Sequence, residues 1–260
     1  MLKWLLGKRR YLLKQEATRD ELRRLRSLLW QAELMELGQL HQLVKWTRVF
    51  VAEKHWEGCE GLVVTDDMKW MIASMAGMMV LAYPDWYFDR TSTILIYPTT
   101  YVARVEPQYF TSTYNATLGG EFHRAGQTIY RGPVVLNWRD IHSASQGPNE
   151  GHHLVVHEFA HQLDMINGPS ADGLPPLPAS VDEGIWRRAM MAEYELAREM
   201  VSQGHRILMD HYGLSHESEF FAVASELYFQ MPETLAEYHP NVYVLLRDFY
   251  VTELHSFPET

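Results

Sequence analysis

Two histidines four residues apart, with a glutamate directly after the first, interrupt an apolar run: "LVVHEFAHQLDMING", Leu154 to Gly168. No other stretch limits the fold so tightly. Residues i and i+4 share a face on an α-helix, with Cβ atoms roughly 5–6 Å apart. Leu154, Val155, Val156, Phe159, Ala160 and Leu163 are uncharged and would bury that helix. Burying two imidazoles and a carboxylate is costly unless they are engaged. A metal ion suits the spacing. His157 and His161 can aim at one ion, while Glu158, rotated by about 100°, stands beside it as a general base for a water.

Two imidazoles do not complete such a site, so a further ligand must come from another element. The stretch "HYGLSHESEFFAVASEL" offers Glu219 and Glu226, seven apart on one predicted helix. Spacing alone allows either. Tyr212 lies seven residues before Glu219, in a turn; its phenol is either an oxyanion donor or an ordinary loop aromatic. Asp164, three residues after His161, is expected to accept from a ligand imidazole, with direct ligation or a plain helix-end role as alternatives. His153 shares the face of His157 and His161 but sits a full turn too far for the same ion, and His152 is its exposed neighbour.

The rest of the chain must supply a core and a second helix to cross the first. Its 260 residues, 47% apolar, suffice for a substantial core. Residues Leu2 to Leu40 are rich in Leu, Arg, Glu and Gln and read as an amphipathic helical lead-in with a solvated face. Helices are predicted near 37–53, 65–83, 181–203, 218–231 and 242–254. A strand is predicted at 92–98, and a hairpin or two short strands over 127–138, broken at Arg131-Gly132. The strand "PVVLNW" either offers an edge to an extended peptide or lies inside the sheet. "NGPSADGLPPLP" ends the histidine helix. Helices, a small sheet, then helices make an α+β fold around one core. The division expected is a lead-in over 1–40 and the main domain over 41–260.

Composition removes several function classes. The single cysteine, Cys59, excludes an internal disulfide and Cys-rich metal modules. A net charge of −10 disfavours direct nucleic-acid binding. The longest apolar run, Met71–Tyr83, is about 13 residues, too short for a membrane span and suited to a buried helix. The N-terminal apolar patch is short and its charges follow it, unlike a secretory signal, so the expectation is a cytoplasmic chain.

Taken in order, "ILIYP", "GPVVLNWRDI", "HEFAHQLD" and "Y-x6-EFFAVASE" resemble the Mlc titration factor A family of bacterial zinc metallopeptidases. That family is related to the catalytic domain of anthrax lethal factor. The resemblance runs from about Leu62 to Phe249. It implies a gluzincin-type metallopeptidase fold with a small mixed sheet, and one Zn2+ held by His157, His161 and Glu219. It further implies Glu158 as base, Tyr212 as transition-state donor and Glu226 as an outer or structural carboxylate. A family histidine upstream of the "GPVVLNW" strand has no clear match; His123 is nearby but displaced. Peptide substrates, aminopeptidase character on short peptides, and binding of the glucose repressor Mlc to modulate the glucose phosphotransferase system are the implied roles. The competing class is a regulator-binding protein whose zinc is structural or vestigial.

Overall fold

The computed structural model describes residues 2–83, 85–99, 101–103, 122–124, 127–128, 130–148 and 150–251. Three helices open the chain: α1 (Leu2–Lys14), α2 (Arg19–Leu28) and, after a 3-10 turn at Trp30–Glu33, α3 (Leu37–Glu53). α2 begins at a capping box: the Thr18 hydroxyl accepts from Glu21 N–H, and the Glu21 carboxylate accepts from Thr18 N–H. The same carboxylate takes Arg48 of α3, with Nε to Oε1 at 2.6 Å. Leu22, Leu25 and Leu28 are buried in the main core while Asp20, Arg23 and Arg26 are exposed, so α2 is the expected amphipathic helix, packed on one face and solvated on the other. Packing therefore crosses the boundary expected near residue 40.

α4 (Asp66–Met78) starts at the N-cap Thr65 and buries every position from Trp70 to its end at Met78. It packs on α3 at Gly77. A Cβ there would lie 2.7 Å from both Leu43 Cδ1 and Trp46 Cε3, so only glycine permits this approach. Trp46 in turn stacks on Phe50 and Tyr87.

The sheet runs β1 (His55–Gly58), β2 (Thr93–Tyr97), β6 (Val134–Asn137), β5 (Gln127–Thr128). β1, β2 and β6 are parallel, and β5 turns back antiparallel on β6. The "PVVLNW" strand is thus β6, buried, paired with β2 along its length and with β5 at Val134 and Val135, so that over those two residues it is interior. A separate ribbon pairs β3 (Tyr101–Ala103) with β4 (Phe122–Arg124), where His123 stands opposite Val102. The His123 side chain, and most of the segment "TLGGEFHRAG", lie outside the described residues.

β6 leads directly into α5 (Trp138–Ser145), capped by Asn137. The histidine helix, α6 (Leu154–Asp164), then crosses the core. Phe159 meets Phe50 and Phe88 edge-on at 5.8 and 4.7 Å. α7 (Glu183–Ser202) follows, then a 3-10 turn at His211–Leu214. α8 (Glu217–Gln230) comes next, with α9 (Pro232–Tyr238) and α10 (Pro240–Tyr250) closing the chain. Pro232 separates α8 from a helix it also starts, since proline at a first helical position gives up only an unused N–H. No helix among the described residues is long and apolar enough to cross a membrane.

Candidate metal centre

α6 is held at both ends before any metal chemistry is considered. At its start, His153 is the N-cap: its Nδ1 accepts from Val156 N–H. Fully buried, His153 has its pKa lowered to about 4 by desolvation, so the ring is neutral. At the far end, the Arg90 guanidinium donates to the carbonyls of Met165 and Ile166 at 3.1 and 2.6 Å. A cation over helix C-terminal carbonyls is the favourable arrangement. In the last turn, Thr91 donates to Gln162 at 2.7 Å. The helix axis, and with it the direction of both imidazoles, is thereby fixed.

α8 packs across α6 and brings Glu219 to the two histidines, 62 and 58 residues away in sequence. Glu219 Oε2 lies 3.1 Å from His157 Nε2 and 3.2 Å from His161 Nε2. The imidazole rings stand edge to face, with centroids 4.9 Å apart. All three ligand atoms fall within 4.8 Å of one another, and no other such group occurs among the described residues.

Lone pairs that close repel unless a proton or a cation lies among them. The electrostatics express this. Burial pushes the His157 imidazolium down, but Glu226 and Glu219 outweigh it and raise His157 well above the ordinary histidine value. Burial likewise pushes the Glu219 carboxyl up, yet the two histidines hold it well below the usual carboxylate range. A site that so strongly favours added positive charge suits a divalent cation. A tetrahedral ion with bonds of about 2.0–2.1 Å would set its ligand atoms about 3.3 Å apart, close to the spacing seen here. The donor set fits.

The neighbouring groups sort differently from the sequence expectation. Glu158 is buried, with 4% of its surface exposed, on the helix turn that carries both histidines. Tyr212 sits on the 3-10 turn, half-exposed, its ring centroid 5.8 Å from that of His157. Two contacts hold that turn. The Asp210 carboxylate accepts from Tyr212 N–H, and Gly213 lies close enough to α8 that a Cβ would come within 3.1 Å of Val223.

Asp164 does not accept from a ligand imidazole. Its two oxygens take Gly173 N–H at 2.8 Å and Leu174 N–H at 3.0 Å, which ties down the Gly/Pro-rich loop after α6. Burial raises this carboxyl to about 6 while the Gly173 N–H pulls it back. The carboxylate on the imidazole is Glu226, whose Oε1 is 2.7 Å from His157 Nδ1. Helical period explains the exchange. Asp164 follows His161 by three residues on one helix, while Glu226 shares a face with Glu219 on the helix that crosses it. His153 and Arg90 support α6 in roles that the sequence expectation does not include. A histidine just before an apolar helix is a legible cap signal, whereas Arg90 is distant in sequence and gives none.

Two imidazoles from one helix and a carboxylate from another, converging on a point, are the donor set expected of a metallopeptidase. Sequence comparison agrees with that class. The family model described as "Glucose-regulated metallo-peptidase M90" matches residues 4–251, and the chain belongs to that family. It is 36% identical over 193 residues to Mlc titration factor A of Serratia proteamaculans, covering 74% of this chain and 71% of the relative. Mlc titration factor A of Edwardsiella ictaluri is 34% identical over 223 residues, covering 84% and 82%. A Synechocystis protein is 30% identical over 210 residues, covering 79% and 74%. The family match starts at residue 4, well before the motifs that carry the resemblance, and so includes the N-terminal helices.

Proposed function

We propose that this chain is a zinc-dependent metallopeptidase of the gluzincin type that hydrolyses short peptides. The observation that carries the reading is the convergence of Glu219 of α8, at 3.1–3.2 Å, on His157 and His161 of α6, the helix that also presents Glu158. These three side chains hold the ion. Zinc, when bound, supplies Lewis acidity: it lowers the pKa of water toward about 7 and polarises a carbonyl.

The protein's own groups do the rest. The Glu158 carboxylate accepts the proton of the attacking water, then delivers it to the leaving amine nitrogen. The Tyr212 hydroxyl donates to the carbonyl oxygen as negative charge develops there. Its half-exposed position lets it meet a substrate, and its turn is braced from below by Asp210 and Val223. Aminopeptidase character, a cytoplasmic location and binding of an Mlc-type repressor complete the reading. The relatives' name, Mlc titration factor A, supports the last of these.

Glu158→Gln tests the mechanism. The variant should bind zinc as the parent does while hydrolysis of amino-acid nitroanilides falls by at least about 10²–10⁴-fold. Metal content is read by elemental analysis, and turnover with and without chelator. Zinc-loaded parent protein with no turnover on any peptide would favour the regulator-binding alternative.

A further inference from the structure

α7 (Glu183–Ser202) has a buried side and an outer one. Trp186, Met190, Tyr194 and Ala197 are buried. The Trp186 indole donates to the Gly173 carbonyl, and the Tyr194 hydroxyl donates to the carbonyl of Leu214 on the Tyr212 turn. The outer side is not simply charged. Ile185, Ala189, Ala192 and Leu196 follow at intervals of four, three and four, the spacing of one stripe along a helix. Ile185 is 54% exposed and Leu196 52%. Two large apolar side chains in line, with only alanines between them, form a row that a second helix can cover.

The charges beside the stripe indicate which helix. Arg188 and Glu195 are exposed and flank it on the same side. They stand seven residues apart, about 10 Å along the axis, too far to pair with each other. Neither has a hydrogen-bond or ion-pair partner among the described residues, whereas the adjacent Arg187 takes Glu183 and Asp172.

We propose that α7 is a self-association surface, on which a second copy of this chain packs its own α7 antiparallel about a two-fold axis. Such an interface presents the same patch on both copies and must therefore be complementary to itself. This stripe is. With the axis midway between Ala189 and Ala192, Ile185 of each copy faces Leu196 of the other, and Ala189 faces Ala192. The alanines at the centre let the two helices approach closely, while the larger side chains fill the ends. The same axis sets Arg188 of one copy within two residues' rise, about 3 Å, of Glu195 of the other. Symmetry makes that ion pair twice. In an antiparallel pair, residues on the same flank of the seam meet, so two groups unpaired within one chain find each other between chains. The pairing does not depend on the metal centre.

The test is sedimentation of the full chain over a range of concentrations. A helix of 20 residues is about 30 Å long and about 10 Å across, so the seam covers less than the ~800 Å² per partner of a standard interface. The parent should therefore pair reversibly, with a Kd on the order of micromolar. Arg188→Glu and Glu195→Arg each set like charges together at both ion pairs and should raise Kd at least about tenfold. Both change exposed groups, and far-ultraviolet spectra check that the fold is kept. An equimolar mixture of the two variants should pair again, because every contact between unlike chains then joins opposite charges. A parent that sediments as one chain at about 0.5 mM, far above such a Kd, would overturn the proposal whatever the variants do, and would leave the stripe to a different protein. Folded variants that pair as the parent does, or a mixture no tighter than either variant alone, would overturn it too.

Discussion

At the scale of the residue, the site is built from side chains whose partners decide their chemistry. His153, His157 and His161 repeat every four residues on one helix, yet they end in three conditions. His153 is a neutral cap, His157 is threaded between two carboxylates, and His161 is partly open to the cleft with Glu219 beside it. Burial and contact differ, not residue type. Tyr212 gives the residue-scale prediction. If its hydroxyl meets the oxyanion, Tyr212→Phe should cut kcat by about 10–10³-fold while KM changes little. A phenylalanine variant with parental kcat would return Tyr212 to the status of a loop aromatic. The position of Glu158 beside His157 on α6 was legible from one line of sequence, because it needs only the helical period. The family resemblance implied Glu226 as an outer carboxylate, but its contact with His157 Nδ1 was not legible, because it lies 69 residues downstream and its orientation depends on how two helices cross.

Elements tell a different story, since most were readable but their contacts were not. Periodicity located α3 at Leu37–Glu53 and α6 at Leu154–Asp164, where apolar spacing and cap residues agree. It missed α5, which reads locally as the tail of a strand until Asn137 caps it, and α9, hidden by its leading proline. Close packing of α3 and α4 yields a prediction in which two effects oppose. Gly77→Ala gains about 1 kcal/mol of helix propensity. The new Cβ would press on Leu43 and on a Trp46 ring fixed by two stacked aromatics, which costs about 1–3 kcal/mol. Overpacking should win, with a lower Tm in thermal melts.

The α2–α3 contact carries a pH prediction. Burial pushes the Glu21 carboxyl up, but Arg48 and the Thr18 cap outweigh it and bring its pKa down to about 2, from 4.5 unfolded. A depressed folded pKa means the stabilisation is whole above pH 4.5 and disappears as pH falls toward 2. Melts of the parent and Glu21→Gln should therefore differ most at neutral pH and converge near pH 2. A gap that persists at pH 2 would show that the carboxylate's charge is not its source.

Among the described residues the molecule has one hydrophobic core, with the candidate metal centre at the crossing of α6 and α8. Residues from Leu22 to Tyr250 share that core, so nearly the full length of the chain supports the crossing. Because the ligands come from two helices joined by a long segment, a bound ion cross-links the fold. Free zinc at 100 times its Kd should add about 2.7 kcal/mol to stability. Chelation should lower Tm accordingly, and Glu219→Gln should abolish the difference. Equal melts with and without chelator would mean that the ion does not bridge the two helices.

What the sequence determined by itself is the local chemistry: that 154–164 is helical, that His157 and His161 share a face, and that Glu158 stands beside them. Those facts need only the 3.6-residue period and a run of apolar neighbours. Tertiary structure alone decided which carboxylate meets the His157 imidazole, that β6 pairs with β2 along its length and with β5 at Val134 and Val135, and that the apolar stripe of α2 joins the main core. Each depends on which face of one element meets another, and that is settled by the packing of the whole core.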